Sequence, residues 1–308
     1  MGGIQKILNR NLVGNIVRLN NRYLSFYEPV RNLDMSVEKI EQLKKLLESK
    51  NIPLLYIQAP FKIHHIDKQL PRGFSEYSVE NVSHFLTELQ NKNVSIFDIR
   101  KLYENTPENH YSLFMKSDHH WQPSYAFYAC DSVTKQLREK YNCNFPSDLY
   151  QINRYAEEKY SLADEINVLY PNMRLGSMTR LTGKLYAPAD NLYTMIPQFK
   201  TDSDFYVPKE KIHVSGTCKQ TWFSEGNYDI TININNKSEN DTTILLISDS
   251  FGCFFANYLS LSCKKLVKYD PRACNIPLEK IIQEHKPNCV IVLFNPDCLH
   301  QISRLVLQ

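Results

Sequence analysis

A short apolar run enters a sharp turn at Leu245-Leu246-Ile247-Ser248-Asp249-Ser250-Phe251-Gly252. The apolar part predicts a buried β-strand, and the residues after the turn predict a helix. Such a turn places a serine at the carboxyl edge of a parallel sheet, which is where α/β proteins bind ligands. The start of a helix also offers N–H groups and a positive dipole end that would stabilise an oxyanion. Ser250 is therefore a candidate nucleophile. Taken alone, however, the tripeptide Ser248-Asp249-Ser250 favours a simpler interpretation, in which one of its side chains caps the following helix.

Helix and strand patterns alternate on both sides of this turn. The apolar spacing predicts helices at 36–50, 79–90, 125–141, 251–261 and 277–285. Short apolar runs predict strands at 54–59, 94–99, 243–247, 265–269 and 289–294. This alternation favours an α/β fold with a parallel, doubly wound sheet.

The alternation stops between about residues 144 and 241, where the chain is polar and rich in tyrosine. Alternating apolar and polar residues at 213–215 and 228–234 predict half-buried strands there. We predict one α/β domain over residues 36–308 with a partly β, irregular insertion at about 144–241. Residues 1–35 are predicted to form a lead-in segment.

A second polar stretch lies far upstream, at Lys116-Ser117-Asp118-His119-His120-Trp121-Gln122. A histidine oriented by a carboxylate activates a serine for nucleophilic attack. Residues two apart on an extended segment point to the same side. Asp118 and His120 are thus predicted to share a face, and His119 to point away. A structural cluster and a metal site are the alternatives, but zinc needs a further close ligand and His64-His65 is the only other histidine pair.

The two motifs together resemble the DHHW branch of the SGNH hydrolase-like proteins, which is akin to the alginate and exopolysaccharide O-acetylation proteins. The resemblance covers about residues 30–300 in layout and is specific at the motifs only. It implies an SGNH-like parallel sheet flanked by helices. It also implies a triad with Ser250 as nucleophile, His120 as general base and acid, and Asp118 as the group that orients His120. The usual glycine of the serine motif is Ser248 here.

Three further side chains are predicted to contact substrate. Trp121 adjoins His120, and Arg180 lies in a stretch, 174–183, that resembles a family segment near the active site. Arg272 follows a predicted strand, where it would contact an anionic sugar or an acyl oxygen. For Arg272 a structural salt bridge is the simpler interpretation.

A rival base is present near the carboxyl end of the chain. Asp297-Cys298-Leu299-His300 fits the DxxH pattern of ordinary SGNH hydrolases. Only 50 residues separate Ser250 from His300, which leaves room for few further strands. We therefore favour the pair Asp118 and His120.

The resemblance implies a polysaccharide O-acetyltransferase that works through an acetyl-serine intermediate and without a cofactor or metal. It also implies an extracytoplasmic protein, membrane-associated or at the cell surface, that receives acetyl groups from a membrane-bound O-acyltransferase partner. A carbohydrate acetylesterase would use the same residues. A polysaccharide-binding or assembly protein with a vestigial site is a further alternative, motivated by Ser248 and by the tyrosine-rich insertion.

Composition excludes some other classes. The net charge is +3 with 22% charged residues, and no basic block with interleaved aromatics is present, so nucleic acid is not a predicted partner. The eight cysteines form no CxxC pair, which excludes a zinc ribbon and leaves the disulfide state open. No apolar run reaches the length of about 18 residues needed for a transmembrane helix, and the first residues show no signal-peptide pattern.

Overall fold

The computed structural model describes residues 11–13, 15–63, 69–102, 107–116, 119–141, 143–151, 155–161, 191–197, 207–209, 230–235 and 238–308. The α-helices within these ranges are α1 (Asp34–Glu48), α2 (Ser78–Asn91), α3 (Pro123–Tyr141), α4 (Gly252–Ser260) and α5 (Leu278–His285). Shorter 3₁₀ helices lie at Ile99–Leu102, Pro107–Leu113 and Pro296–Arg304.

The same ranges contain twelve β-strands. In chain order they are β1 (Leu12–Val13), β2 (Ile16–Arg18), β3 (Leu24–Phe26), β4 (Leu54–Gln58), β5 (Ile96–Asp98), β6 (Tyr155–Ser161), β7 (Asn191–Pro197), β8 (Val207–Lys209), β9 (Ile230–Ile234), β10 (Thr243–Ser248), β11 (Lys265–Tyr269) and β12 (Cys289–Phe294).

The main sheet has the strand order β5-β4-β12-β10-β11-β9-β8. Its first five strands run parallel, β9 runs antiparallel to β11, and β8 runs antiparallel to β9. The predicted α/β fold with an SGNH-like parallel sheet flanked by helices is confirmed. The serine turn follows β10, the strand between β11 and β12.

Helices cover both faces of the sheet, which explains why β10 and β12 are apolar on both sides. Alternate residues of a strand point to opposite faces. On one face Leu246 and Ile291 pack in a cluster with α3 and α4. On the other face Leu245 and Val290 pack in a cluster with α1, α2 and α5.

Most predicted elements coincide with observed ones, and the strands at 265–269 and 289–294 agree at both ends. The strand predicted at 94–99 is shorter, because the chain turns into a 3₁₀ helix at Ile99. The strand predicted at 228–234 is β9, whereas 213–215 lies outside the described residues.

Parts of the predicted insertion and lead-in also form strands. Strands β8 and β9 extend the main sheet beyond β11, and β6 pairs with β7. In the predicted lead-in, β1, β2 and β3 form a small antiparallel sheet. The Leu24 N–H of this sheet donates a hydrogen bond of 2.8 Å to the carbonyl of Lys116, the first residue of the histidine stretch 116–122. The division into a lead-in and one domain stays a prediction.

The packing predicts a large cost for truncating the central strand. Leu246 is fully buried, so Leu246→Ala removes contacts that the core cannot fully recover, and we expect the free energy of unfolding to fall by about 3 kcal/mol. Urea denaturation followed by circular dichroism measures this loss. Val30→Ala is the control, because Val30 is 69% exposed and its truncation is expected to change stability by less than about 0.5 kcal/mol. Equal losses in the two variants would contradict the packing argument.

Candidate active site

The serine turn is held by the side chain of Asp249, which directly follows β10. Asp249 Oδ1 accepts the N–H of Phe251 at 2.8 Å, and Asp249 Oδ2 accepts the N–H of Asn295 at 2.8 Å. The second bond ties the turn to the end of the neighbouring strand β12. Asp249 therefore fixes the turn at Phe251 and links it to Asn295, so its side chain bridges the ends of β10 and β12.

Gly252 allows α4 to begin directly against β10. A Cβ at this position would overlap the Oγ and Cβ atoms of Ser248. Only glycine therefore fits between the turn and Ser248.

The histidine stretch lies in a closed loop that precedes α3. Phe114 and Trp121 form an antiparallel bridge across its ends, and the N–H of Met115 donates to the carbonyl of His120 at 3.0 Å. The N–H of Gln122 donates to the carbonyl of Leu113 at 2.7 Å. These bonds fix the backbone position of His120 relative to the core.

The turn and the loop bring Ser250 and His120 together. His120 Nε2 lies 2.7 Å from Ser250 Oγ, which is a hydrogen-bonding distance between residues 130 positions apart in the chain. Ser250 is 8% exposed and His120 is partly exposed, so the pair lies at the surface end of the buried sheet. This is the contact that the two motifs predict.

The neighbouring histidine does not point away as predicted. The ring centroids of His119 and His120 are 4.0 Å apart, and His119 also packs on Phe26 at 4.5 Å. The prediction assumed an extended backbone, but the chain bends at these residues, so strict alternation of side chains is lost.

Trp121 holds the two motifs together instead of facing a ligand. Its Nε1–H donates a hydrogen bond of 3.1 Å to the carbonyl of Phe251, and its ring stacks on Phe255. The side chain is fully buried. The predicted substrate contact is therefore corrected, because the indole has no surface with which to bind a polymer in this structure.

Arg272 forms a bidentate ion pair with Asp270. Its Nη2 lies 2.6 Å from Asp270 Oδ2, and its Nε lies 2.9 Å from Asp270 Oδ1. The ion pair agrees with the simpler of the two interpretations of Arg272, a structural salt bridge. Asp118 and Arg180, the other two predicted site residues, lie outside the described residues.

The rival motif lies on the 3₁₀ helix after β12. The His300 ring contacts its neighbour Gln301, and burial lowers the His300 pKa, helped by the charges of Arg31 and Arg304. Asp297 is buried, and this burial, with nearby Asp249, raises its pKa well above the ordinary value. The imidazole within hydrogen-bonding distance of Ser250 is that of His120.

The backbone donors near Ser250 differ in availability. The Phe251 N–H is engaged by Asp249, whereas the Ser250 N–H donates to no acceptor within the described part of the chain. The backbone N–H of Asn295 donates to Asp249 Oδ2, so Asn295 lies next to the serine turn. Among the described residues, neither Nδ2 nor Oδ1 of the buried Asn295 side chain has a hydrogen-bond partner.

Asn295 and Asp249 were missed as site residues by the sequence reasoning. Their common signal is a polar residue directly after a buried, largely apolar strand. Such positions meet at the carboxyl edge of a parallel sheet. Within the described ranges, no group of three or more His, Cys, Asp or Glu side chains is arranged to hold a metal ion.

Comparison with protein-family models gives a match in the first part of the chain. Residues 25–175 match the family model of the SGNH hydrolase-like domain, acetyltransferase AlgX. The resemblance predicted from the motifs is confirmed. The family description supports an acyltransferase enzyme.

Several solved structures share the fold at low identity. PatB1 of Bacillus cereus with a sulfonyl adduct aligns with a TM-score of 0.71 and 17% identity over 95% of this chain and 97% of that one. A DHHW family protein from Eubacterium siraeum aligns with a TM-score of 0.66 and 14% identity over 96% and 98%. The O-acetyltransferase domain of Pseudomonas putida AlgJ aligns with a TM-score of 0.55 and 13% identity over 93% and 92%.

Two further findings are negative. No curated protein sequence matches the chain. No helix in the described ranges is both long and apolar enough to span a bilayer.

The Trp121 contact yields a prediction that separates stability from site geometry. Trp121→Phe leaves the buried Phe251 carbonyl without its donor, so we expect the free energy of unfolding to fall by about 1–3 kcal/mol. The rate of reaction at Ser250 with a small sulfonyl fluoride, followed by mass spectrometry, should fall about tenfold or more, because the turn shifts relative to His120.

The matched control is Tyr150→Phe. The Tyr150 hydroxyl donates a hydrogen bond of 2.9 Å to the Tyr258 carbonyl, another buried bond to the segment that begins at the serine turn. Loss of this bond should lower stability without slowing the reaction at Ser250. If both variants react at the same rate, Trp121 does not position the turn.

Proposed function

We propose that the protein is a polysaccharide O-acetyltransferase in which Ser250, His120 and Asp118 form a Ser-His-Asp triad. The observation that carries this proposal is the 2.7 Å contact between His120 Nε2 and Ser250 Oγ at the carboxyl edge of the sheet. The acetyltransferase description of the family model and the O-acetyltransferase domain of AlgJ support it. Asp118 is proposed to orient His120, two residues later in the chain.

In the first half of the reaction, Ser250 Oγ attacks the carbonyl carbon of an acetyl donor while His120 Nε2 takes its proton. The carbonyl oxygen becomes an oxyanion in the tetrahedral intermediate. The carbon–oxygen bond to the leaving group then breaks, and His120 returns the proton to that group. Ser250 is left as an acetyl ester.

The oxyanion needs donors that are already in place. The Ser250 N–H is proposed for this role because the Phe251 N–H, the other backbone donor expected there, is held by Asp249. The Asn295 Nδ2–H₂ group is proposed as the second donor, because it lies on the adjacent strand end and has no partner among the described residues.

In the second half, a sugar hydroxyl gives its proton to His120 and attacks the acetyl-serine carbonyl. The new ester bond forms on the sugar, and Ser250 Oγ leaves with the proton from His120. Water in place of the sugar would make the protein an acetylesterase with the same residues. The Ser250–His120 contact supports either enzyme over a binding protein with a vestigial site.

The proposal extends to the partners and the compartment. The acceptor is a polysaccharide or oligosaccharide, and the acetyl group is delivered by a membrane-bound O-acyltransferase. The protein would then work outside the cytoplasm, in contact with the membrane or at the cell surface. The resemblance of the two motifs to those of the alginate and exopolysaccharide O-acetylation proteins supports this setting.

The nucleophile is tested by mass spectrometry with a small activated acetyl ester and, separately, a sulfonyl fluoride. We expect one acetyl or sulfonyl group on Ser250 in the wild-type protein. Ser250→Ala and His120→Gln should each lower turnover of the ester by about 10³-fold or more, and the double variant should lose no more than either alone. Ser132→Ala, on the exposed side of α3, should react like the wild type. Unchanged turnover in Ser250→Ala would remove the catalytic proposal.

Transfer is distinguished from hydrolysis by adding an oligosaccharide acceptor to the same reaction. We expect acetylated oligosaccharide to accumulate and release of free acetate to fall, because the acceptor hydroxyl and water compete for one acetyl-serine. Release of acetate alone, at a rate that no acceptor changes, would identify an esterase.

A further inference from the structure

Two buried carboxyl groups follow neighbouring strands at the edge of the sheet that carries the serine turn. Asp249 and Asp270 are the first residues after the paired parallel strands β10 and β11. Both are almost completely buried. The Asp270 charge raises the pKa of Asp249, and two buried carboxylates are poorly solvated, so their charged forms need a compensating cation.

The charged form of Asp249 is the one that the turn requires. Each of its oxygens accepts one backbone N–H, from Phe251 and from Asn295. A protonated carboxyl group has one oxygen that donates, so it cannot serve both N–H groups equally. Protonation of Asp249 would therefore loosen either the Phe251 side of the turn or its link to β12.

Arg272 is placed to supply the cation, because it follows β11 and its Nη1 lies 4.0 Å from Cys298 Sγ on the helix after β12. Since β10 lies between β11 and β12, the Arg272 side chain crosses the end of β10, where Asp249 lies. The Arg272 side chain is 24% exposed, and its Nε and Nη2 groups donate hydrogen bonds to the Asp270 carboxylate. Burial raises the pKa of Asp249, whereas the Arg272 charge and the N–H groups of Asn295 and Phe251 lower it. The third carboxyl group nearby, Asp297, has its pKa raised well above the ordinary value by burial and by Asp249. The guanidinium thus favours the carboxylate form of Asp249.

We propose that Arg272, paired with Asp270, is a positioning residue that acts on Ser250 through Asp249 and not through contact with substrate. The ion pair keeps Asp249 as a double acceptor, and Asp249 holds Phe251 and Asn295 on either side of the reacting serine. The inference rests on the proposed acyl-transfer function. It gives Arg272 a role different from the predicted contact with an anionic sugar.

Small neutral reagents separate the two roles. An activated acetyl ester and a sulfonyl fluoride carry no sugar and no negative charge, so an arginine that binds an anionic sugar would not affect them. An arginine that contacts the acyl oxygen would act independently of Asp249, which the double variant below detects. We expect Arg272→Met to lower kcat with the ester and the rate of sulfonylation by about 10²-fold, with KM for the ester changed less than about twofold. Arg272→Lys keeps the charge without the bidentate grip and should recover part of the rate.

The order of action is tested by a double variant. Asp249→Asn should lose about as much activity as Arg272→Met, because an amide also presents only one acceptor oxygen. Since Arg272 acts through Asp249, the double variant should lose no more than Asp249→Asn alone. Losses that multiply in the double variant would overturn the inference.

A closely matched pair provides the control. At the end of β5, the Nε and Nη2 groups of Arg100 donate hydrogen bonds to Asp98, which lies two residues earlier in the chain. The Arg100 side chain is also 24% exposed. Arg100→Met should therefore show what loss of such an ion pair does away from Asp249, namely little change in rate. Rates are compared per folded molecule, with the folded fraction measured by circular dichroism.

The outcomes separate cleanly. If Arg272→Met reacts with both small reagents as fast as the wild type, or loses activity only in proportion to its folded fraction, the inference is overturned while Ser250 chemistry stands. If the wild type takes up neither reagent on Ser250, the proposed function fails and the inference fails with it. Slow reaction in Arg272→Met but not in Arg100→Met, at unchanged KM, supports the inference.

Discussion

The hydrogen bond from the Trp121 indole to the Phe251 carbonyl joins two segments that each carry half of the candidate site. Trp121 directly follows His120, and Phe251 directly follows Ser250, so one buried bond sets the spacing of both side chains. The indole is fully buried against Phe255 on α4. The loop and the turn therefore cannot shift separately without disturbing the core.

The second constraint is the level at which neighbouring parallel strands end. Strands β10, β11 and β12 pair in register, and each is followed at once by a polar residue, namely Asp249, Asp270 and Asn295. The apolar strands behind them fill both layers of the core. Polar groups thus gather at one edge of the sheet because that edge is where the strands stop being buried on both faces.

Much of this arrangement was predictable from local pattern. The sequence patterns at 265–269 and 289–294 predicted their strands, and the serine and histidine motifs predicted the 2.7 Å contact. Side-chain direction was less predictable, because the bend at His119 and the burial of Trp121 depend on contacts with distant segments. The roles of Asp118 and Arg180 stay predictions.

The place of β12 in the sheet has a consequence for how the chain is made. This strand is the last along the chain, yet it lies between β4 and β10 and hydrogen-bonds to both. Until residues 289–294 emerge, the two earlier strands have no shared partner, and each presents an open edge. The main sheet therefore closes only after residues 289–294 have been made, which makes folding dependent on non-local pairing and exposes the earlier strands to aggregation.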